Sequence, residues 1–336
     1  MNALLARCAS LFVSATFLAA CGSDKADGGS GATVGSGSSS GSGNGTGASN
    51  GTGGAPVFGG GSGGDGSGGA GSGMGGAGNG TPEVCDGIDN DGDGIVDNVD
   101  AGGDGICDCL NIGTLGAIGP WSNGGNVFKE WLNTRSPIPV REIGNDTLDA
   151  AALSGLDVIV SLRVDTAASD AGDTPAHHEF SAAEVSALET WVRAGGGFLT
   201  TIGYQGDEGA EIVNVNRLLA PFGLSYDETL TDVSGFIEEW LPHPISEGVS
   251  RVRSDNGVAP DESNGTVVAR GSNGQAALVV DQVDEGRAIV FGDEWITYDS
   301  EWTDIEDQQV ALLWLNMIKW LSPPQRCQVP IPPVIK

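Results

Sequence analysis

Between Gly22 and Gly80, 27 of 59 residues are Gly, and most of the others are Ser, Ala, Asn or Thr. The run has no G-X-Y period, so it is not collagen-like. A segment so poor in large apolar side chains cannot bury enough surface to offset its ordering entropy. It is expected to be a flexible tether with an end-to-end distance of roughly 40 Å. About 255 residues then remain to fold, enough for one α/β domain and a small module. The expected division is a leader at 1–20, a tether at 21–81, an acidic module at 82–109, an α/β domain at 110–322 and a tail at 323–336.

Charge narrows the partners. The chain has 15 Lys and Arg against 45 Asp and Glu, a formal net charge of −30. Phosphate backbones repel such a surface, so nucleic acid is not an expected partner. Anionic lipid has no basic patch to attract.

The leader has Arg7 followed by the apolar run Leu11–Leu18. This run is too short to span a bilayer and reads as an export signal. It ends in Leu18-Ala19-Ala20-Cys21-Gly22-Ser23, which resembles the lipobox of bacterial lipoproteins. The resemblance implies acylation of Cys21, which becomes the first residue of the mature chain. With no Asp directly after Cys21, it also implies sorting to the outer membrane. The membrane is then engaged by the lipid anchor alone.

Pro82–Cys109 contains nine carboxylates and no Lys, Arg or His. Like charges packed this densely call for a cation, the alternative being a solvated acidic linker. Asp89, Asp91, Asp93, Ile95, Asp97 and Asp100 match positions 1, 3, 5, 7, 9 and 12 of a calcium-loop template, with Gly94 at the turn position 6. Ile95 would contribute its backbone carbonyl. Position 12 is Asp instead of the bidentate Glu, and no amphipathic helix flanks the loop. Hard carboxylates favour calcium as the cofactor. Asp100, Asp104 and Asp108 make a weaker second set. The segment resembles thrombospondin type 3 calcium repeats and, more closely, the short acidic metal-binding repeat of myxobacterial surface proteins.

Six Cys occur. Cys8 leaves with the leader and Cys21 is the acylation site. Cys85, Cys107, Cys109 and Cys327 remain, and in an exported chain they are expected to form two disulfides. Three pairings are open. The favoured one joins Cys85 to Cys107, closing the acidic loop, and Cys109 to Cys327, joining the start of the next domain to its end.

From Leu110 onward, short apolar runs alternate with amphipathic helices. Strands are expected at Ile112–Ile118, Val140–Ile143, Val158–Leu162, Phe198–Ile202, Val267–Arg270, Ala276–Val280 and Ala288–Phe291. Helices are expected at Asn126–Asn133, Thr147–Leu153, Ser181–Ala194, Val215–Phe222 and Asp307–Leu321, the third with a Ser181–Glu184 capping box. The fully apolar runs Val158–Val160 and Ala288–Phe291 are those of strands covered on both faces. The fold class is α/β, a doubly wound and mostly parallel sheet.

Leu156–Ser161, the helix Ser181–Ala194 and Gly195–Thr201 resemble the core of class I glutamine amidotransferase-like domains. His243–Val249 and Gly286–Asp293 resemble turns of their trehalose-utilisation-like branches. The resemblance implies a flavodoxin-like sheet and a catalytic Cys after Phe198–Ile202. That place reads Thr201-Ile202-Gly203-Tyr204-Gln205, and no Cys lies between Cys109 and Cys327. Without a thiolate, chemistry of the amidotransferase type is excluded.

A ligand crevice is expected at the carboxyl edge of the sheet, from Trp121, Asp165, Tyr204, Gln205, Asp293 and Glu294. Glu301 and Asp304 are nearby candidates. His177-His178-Glu179 is read as a helix entry and His243 as a turn residue. Trp121, Trp295 and Trp302 are candidates for a carbohydrate-contacting surface, with core packing the default. These readings combine into a lipid-anchored envelope protein with a structural cation loop and a non-catalytic domain that binds an envelope carbohydrate or protein. The alternative is a hydrolase using carboxylates and a His at the sheet's carboxyl edge.

Overall fold

The computed structural model describes residues 81–103, 105–117, 124–135, 138–168, 175–203, 209–229, 231–303 and 308–329. The leader, Cys21, the tether to Gly80, Asp104, Trp121, Tyr204, Gln205 and Asp304 lie outside them.

The elements run β1 (Ile112–Leu115), α1 (Asn126–Asn133), β2 (Arg141–Gly144), α2 (Ala150–Leu153), β3 (Val158–Ser161), α3 (Ala182–Arg193), β4 (Gly197–Thr200) and α4 (Ala210–Leu219). After these come β5 (Asp232–Ile237), β6 (Glu239–Trp240), β7 (Val252–Val258), β8 (Thr266–Arg270), β9 (Ala276–Val283), β10 (Gly286–Phe291), α5 (Asp299–Thr303) and α6 (Val310–Leu321). Eight strands form one sheet in the order β2-β1-β3-β4-β10-β9-β8-β6. The pairs from β2 to β10 are parallel and those from β10 to β6 antiparallel. The protein is therefore α/β with a mostly parallel sheet core.

Burial on both faces explains the continuous apolar runs. Val158 and Val160 of β3 enter one core with Phe128 of α1 and Trp314 and Ile318 of α6. Ile159 enters the other with Leu188 of α3 and Val215 of α4. Gly286 opens β10 against α3, where a Cβ would collide with the Val192 carbonyl oxygen. All seven expected strands form. β1 stops short at Leu115 because Gly116 is left-handed, at φ +78°. The small β5–β7 sheet, β6 and α5 were not anticipated. Their sequences are polar and interrupted, with Gly235 and Asn256 at φ +91° and +59°, so no two-residue alternation survives to be read.

The acidic module is fastened to this body. Val96 bridges Arg326 in parallel, and the Cys327 amide donates to the Val96 carbonyl at 3.0 Å. The disulfides are Cys85–Cys109 and Cys107–Cys327, with Cα separations of 5.4 and 5.0 Å. This corrects the favoured pairing. The Val96–Arg326 bridge brings Cys327 beside the Asp97 carbonyl, and the Cys107 sulfur lies over the same carbonyl. Cys109, two residues on, is left to the exposed Cys85. Residues 323–329 are thus part of the packed body, and Val329 lies against its core.

Candidate functional site

The parallel register places Ser161, Thr200 and Val290 level across β3, β4 and β10. The residues just beyond form the carboxyl edge, where ligands bind in open α/β sheets. Here Glu294 donates its amide to the Ile202 carbonyl at 2.8 Å. The Glu294 side chain is buried and accepts a 3.0 Å hydrogen bond from the Tyr298 hydroxyl. Glu211, in the first turn of α4, is buried beside it. Its two oxygens accept the Val164 amide at 2.9 Å and the Gly203 amide at 3.1 Å. A Cβ on Gly203 would stand 2.6 Å from Glu294 Oε1, so only Gly lets that carboxyl approach.

Arg163 completes the group at 7 % exposure. Its Nη2 contacts Asp165 Oδ2 at 3.1 Å, while Nε and Nη1 have no hydrogen-bond partner among the described residues. The Ser161 hydroxyl, fully buried two residues earlier on β3, also has no partner among the described residues. Burial, and then the neighbouring Glu294, push the Glu211 carboxyl up to about 8. Burial also raises Glu294, partly offset by Arg163.

The edge thus brings together Asp165 and Glu294 of the expected crevice and adds Arg163 and Glu211. Asp293 is buried but fastened to backbone, accepting the amides of Asp255 and Trp295. Burial raises its carboxyl well above the ordinary range. Glu301 faces Gln308 and Arg253 instead. Trp302 joins the core with Phe128 and Trp131, and Trp295 stacks on Tyr298. Arg163 carries a weak sequence signal, a single charge within the run Val158–Val164, whereas Glu211 lies outside the helix expected at Val215–Phe222 and enters the first turn only because α4 begins at Ala210.

The three histidines lie elsewhere. His177 is buried, with its ring nitrogens against the His178 and Gly144 carbonyls. His178 pairs with Glu184 at 2.7 Å, at the entry to α3. His243 accepts the Ile245 amide and packs on Trp320. The Thr201 hydroxyl donates to the Ser161 carbonyl at 3.4 Å, and Thr201 is not among the residues at positive φ.

In the acidic module, Glu83, Asp89 and Asp91 each offer an oxygen, all within 4.8 Å of one another. Asp89 also accepts the Gly92 and Gly94 amides, as tight Asx-type turns allow. Glu83 accepts the Asn90 amide through Oε1, while its Oε2 is buried with no partner among the described residues. An orphaned carboxylate oxygen beside two aspartates suits a hard cation. Glu83 lies outside the twelve-residue template, so spacing did not reveal it. The other template residues are engaged apart from this group. Asp93 accepts from Ile95 and Asn98. Asp97 turns inward to the Asp86 and Gly87 amides and to Arg326 at 3.2 Å. Asp100 accepts from Gly105.

No family model and no curated protein matches the chain. Solved structures overlap it distantly. A cytoplasmic protein from Salmonella typhimurium LT2 is 16% identical over 63% of this chain and 100% of its own, with a TM-score of 0.47. A thua-like protein from Bacteroides uniformis is 12% identical over 63% of this chain and 91% of its own, at 0.41. A β-galactosidase from Rahnella sp. R3 is 14% identical over 64% of this chain and 32% of its own, at 0.41. Overlaps of this extent assign no activity. No helix among the described residues is long and apolar enough to cross a membrane.

Proposed function

We propose that the chain is a lipid-anchored envelope protein, acylated at Cys21 and held off the outer membrane by its Gly-rich tether. Its α/β body is an amidotransferase-like module without the thiolate, and it recognises an envelope carbohydrate or protein without transforming it. The observation that carries this reading is that, among the described residues, the carboxyl edge holds no nucleophile–base pair. Thr201 donates to a backbone carbonyl, and no histidine contacts Asp165, Asp293 or Glu294. A hydrolase needs a base within hydrogen-bond reach of its reacting group. The oxygens of Glu211 and Asp293 are engaged by backbone amides instead.

The acidic module serves as a structural calcium site. Glu83, Asp89 and Asp91 would hold the ion, which would supply positive charge to offset these three carboxylates.

The test is turnover. The detergent-solubilised mature chain and its Glu294→Gln variant are incubated with nitrophenyl glycosides and with peptidoglycan fragments. Equal, background rates are expected. Hydrolysis by the parent that the variant loses would defeat the non-catalytic reading. Anchoring is tested separately, by palmitate labelling that Cys21→Ser should abolish.

A further inference from the structure

We propose that Glu211 and Glu294 form a proton-holding pair that clasps the end of β4 and releases it when the proton is lost. The inference rests on reading the carboxyl edge as the recognition crevice, and makes the closure of that edge depend on pH.

The geometry is a clamp around Gly203. Glu211 holds the Gly203 amide from the α4 side and the Val164 amide beyond β3. Glu294 abuts Gly203 from the β10 side and is tied through its own amide to Ile202. Three segments that share no covalent neighbours are therefore joined by two carboxyl groups.

The charges facing the pair among the described residues are few. Arg163 is the cation, and its Nη2 is tied to Asp165. Tyr298 donates to Glu294. Asp293 and Tyr226 lie near enough to act on each other and on the pair. With Glu211, Glu294 and Asp165 all ionised, one guanidinium would face three carboxylates in a site almost closed to water. Such a site binds a proton instead. The two carboxyls are close enough to titrate as a unit.

Losing that proton puts two like charges against one glycine. The amide bonds to Glu211 strengthen on ionisation, so relief falls to the 292–298 turn, whose withdrawal takes Glu294 off Gly203 and opens the clasp on that side. The folded chain holds a proton that the unfolded chain gives up near pH 4.5, so stability falls as pH rises from about 4.5 to about 8 and levels off above.

The experiment is the melting temperature of the full mature chain between pH 5 and 9, for the parent and Glu294→Gln. The variant's amide oxygen can still accept from Tyr298 but carries no charge. The parent should lose melting temperature up to about pH 8, and the variant should lose less, keeping the part of the shift that burial alone causes. Superimposable pH profiles would overturn the pair. Should the variant not fold, carboxyl-carbon NMR of the glutamate-labelled parent decides. One glutamate titrating near pH 8 supports the clasp, and all of them titrating below pH 6 refutes it. Neither readout involves turnover, so failure here is distinct from failure of the non-catalytic reading.

Discussion

Removing the Cys107–Cys327 disulfide tests how the acidic module and the body depend on each other. The bridge joins residues 220 apart in sequence, against 24 for Cys85–Cys109. In the loop-entropy description, cross-links of these spans restrict the unfolded chain by about 5 and about 3 kcal/mol respectively. For a domain of this size, 1 kcal/mol moves the melting temperature by about 2–4 °C. The Cys107→Ser, Cys327→Ser double variant should therefore melt about 10–20 °C below the parent, and the Cys85→Ser, Cys109→Ser variant should lose about 6–12 °C by the same conversion. Calorimetry under non-reducing conditions reads both. The pairing itself is read by cleavage before aspartate, because Asp108 separates Cys107 from Cys109. Unreduced, the fragment 104–107 should travel with 307–336, and 65–85 with 108–145. A 65–85 fragment joined to 104–107 would refute the assigned connectivity. A long-bridge variant melting within about 3 °C of the parent would refute the loop-entropy argument.

Further outcomes follow from single contacts. Gly203→Ala places a methyl group 2.6 Å from Glu294 Oε1, and should cost about 1–3 kcal/mol in urea unfolding. The Ser181 and Leu148 amides, the Ser181 hydroxyl and His178 hold the Glu184 carboxyl down to about 2 despite its burial. Its contribution is present above pH 4.5 and lost as pH falls toward 2, so Glu184→Gln should flatten the acid limb of the stability profile. Millimolar calcium should raise the melting temperature of the parent but not of a Glu83→Gln, Asp89→Asn variant, and an equal rise in both would place the ion elsewhere.

Much of the body was legible because its signals are local. The capping box at Ser181 and Glu184 forms as expected, with the hydroxyl accepting the Glu184 amide and the carboxylate accepting the Ser181 amide. The runs around Val158 and Ala288 identified buried strands, since a strand covered on both faces has no polar side to show. The absence of any Cys between Cys109 and Cys327 removed thiolate chemistry before any folding was considered. Asp89 and Asp91 were marked by spacing because neighbouring loop residues converge without help from the rest of the chain.

Other features depended on contacts between distant segments, which periodicity does not encode. Glu211 and Glu294 are 83 positions apart and meet because β4 and β10 are neighbours in the sheet and Gly203 leaves room between them. Asp97 matches a calcium-loop position, yet it is drawn inward by Arg326 from the far end of the chain. Cys107 and Cys109 are equivalent by sequence. The bridge from Val96 to Arg326 selects which of them meets Cys327, because a disulfide forms between the sulfurs that packing brings together. Local composition and spacing therefore determined where most strands and helices of the body lie and which loop gathers the acidic side chains. The tertiary structure decided which charges are buried together, because burial and pairing belong to the packed whole.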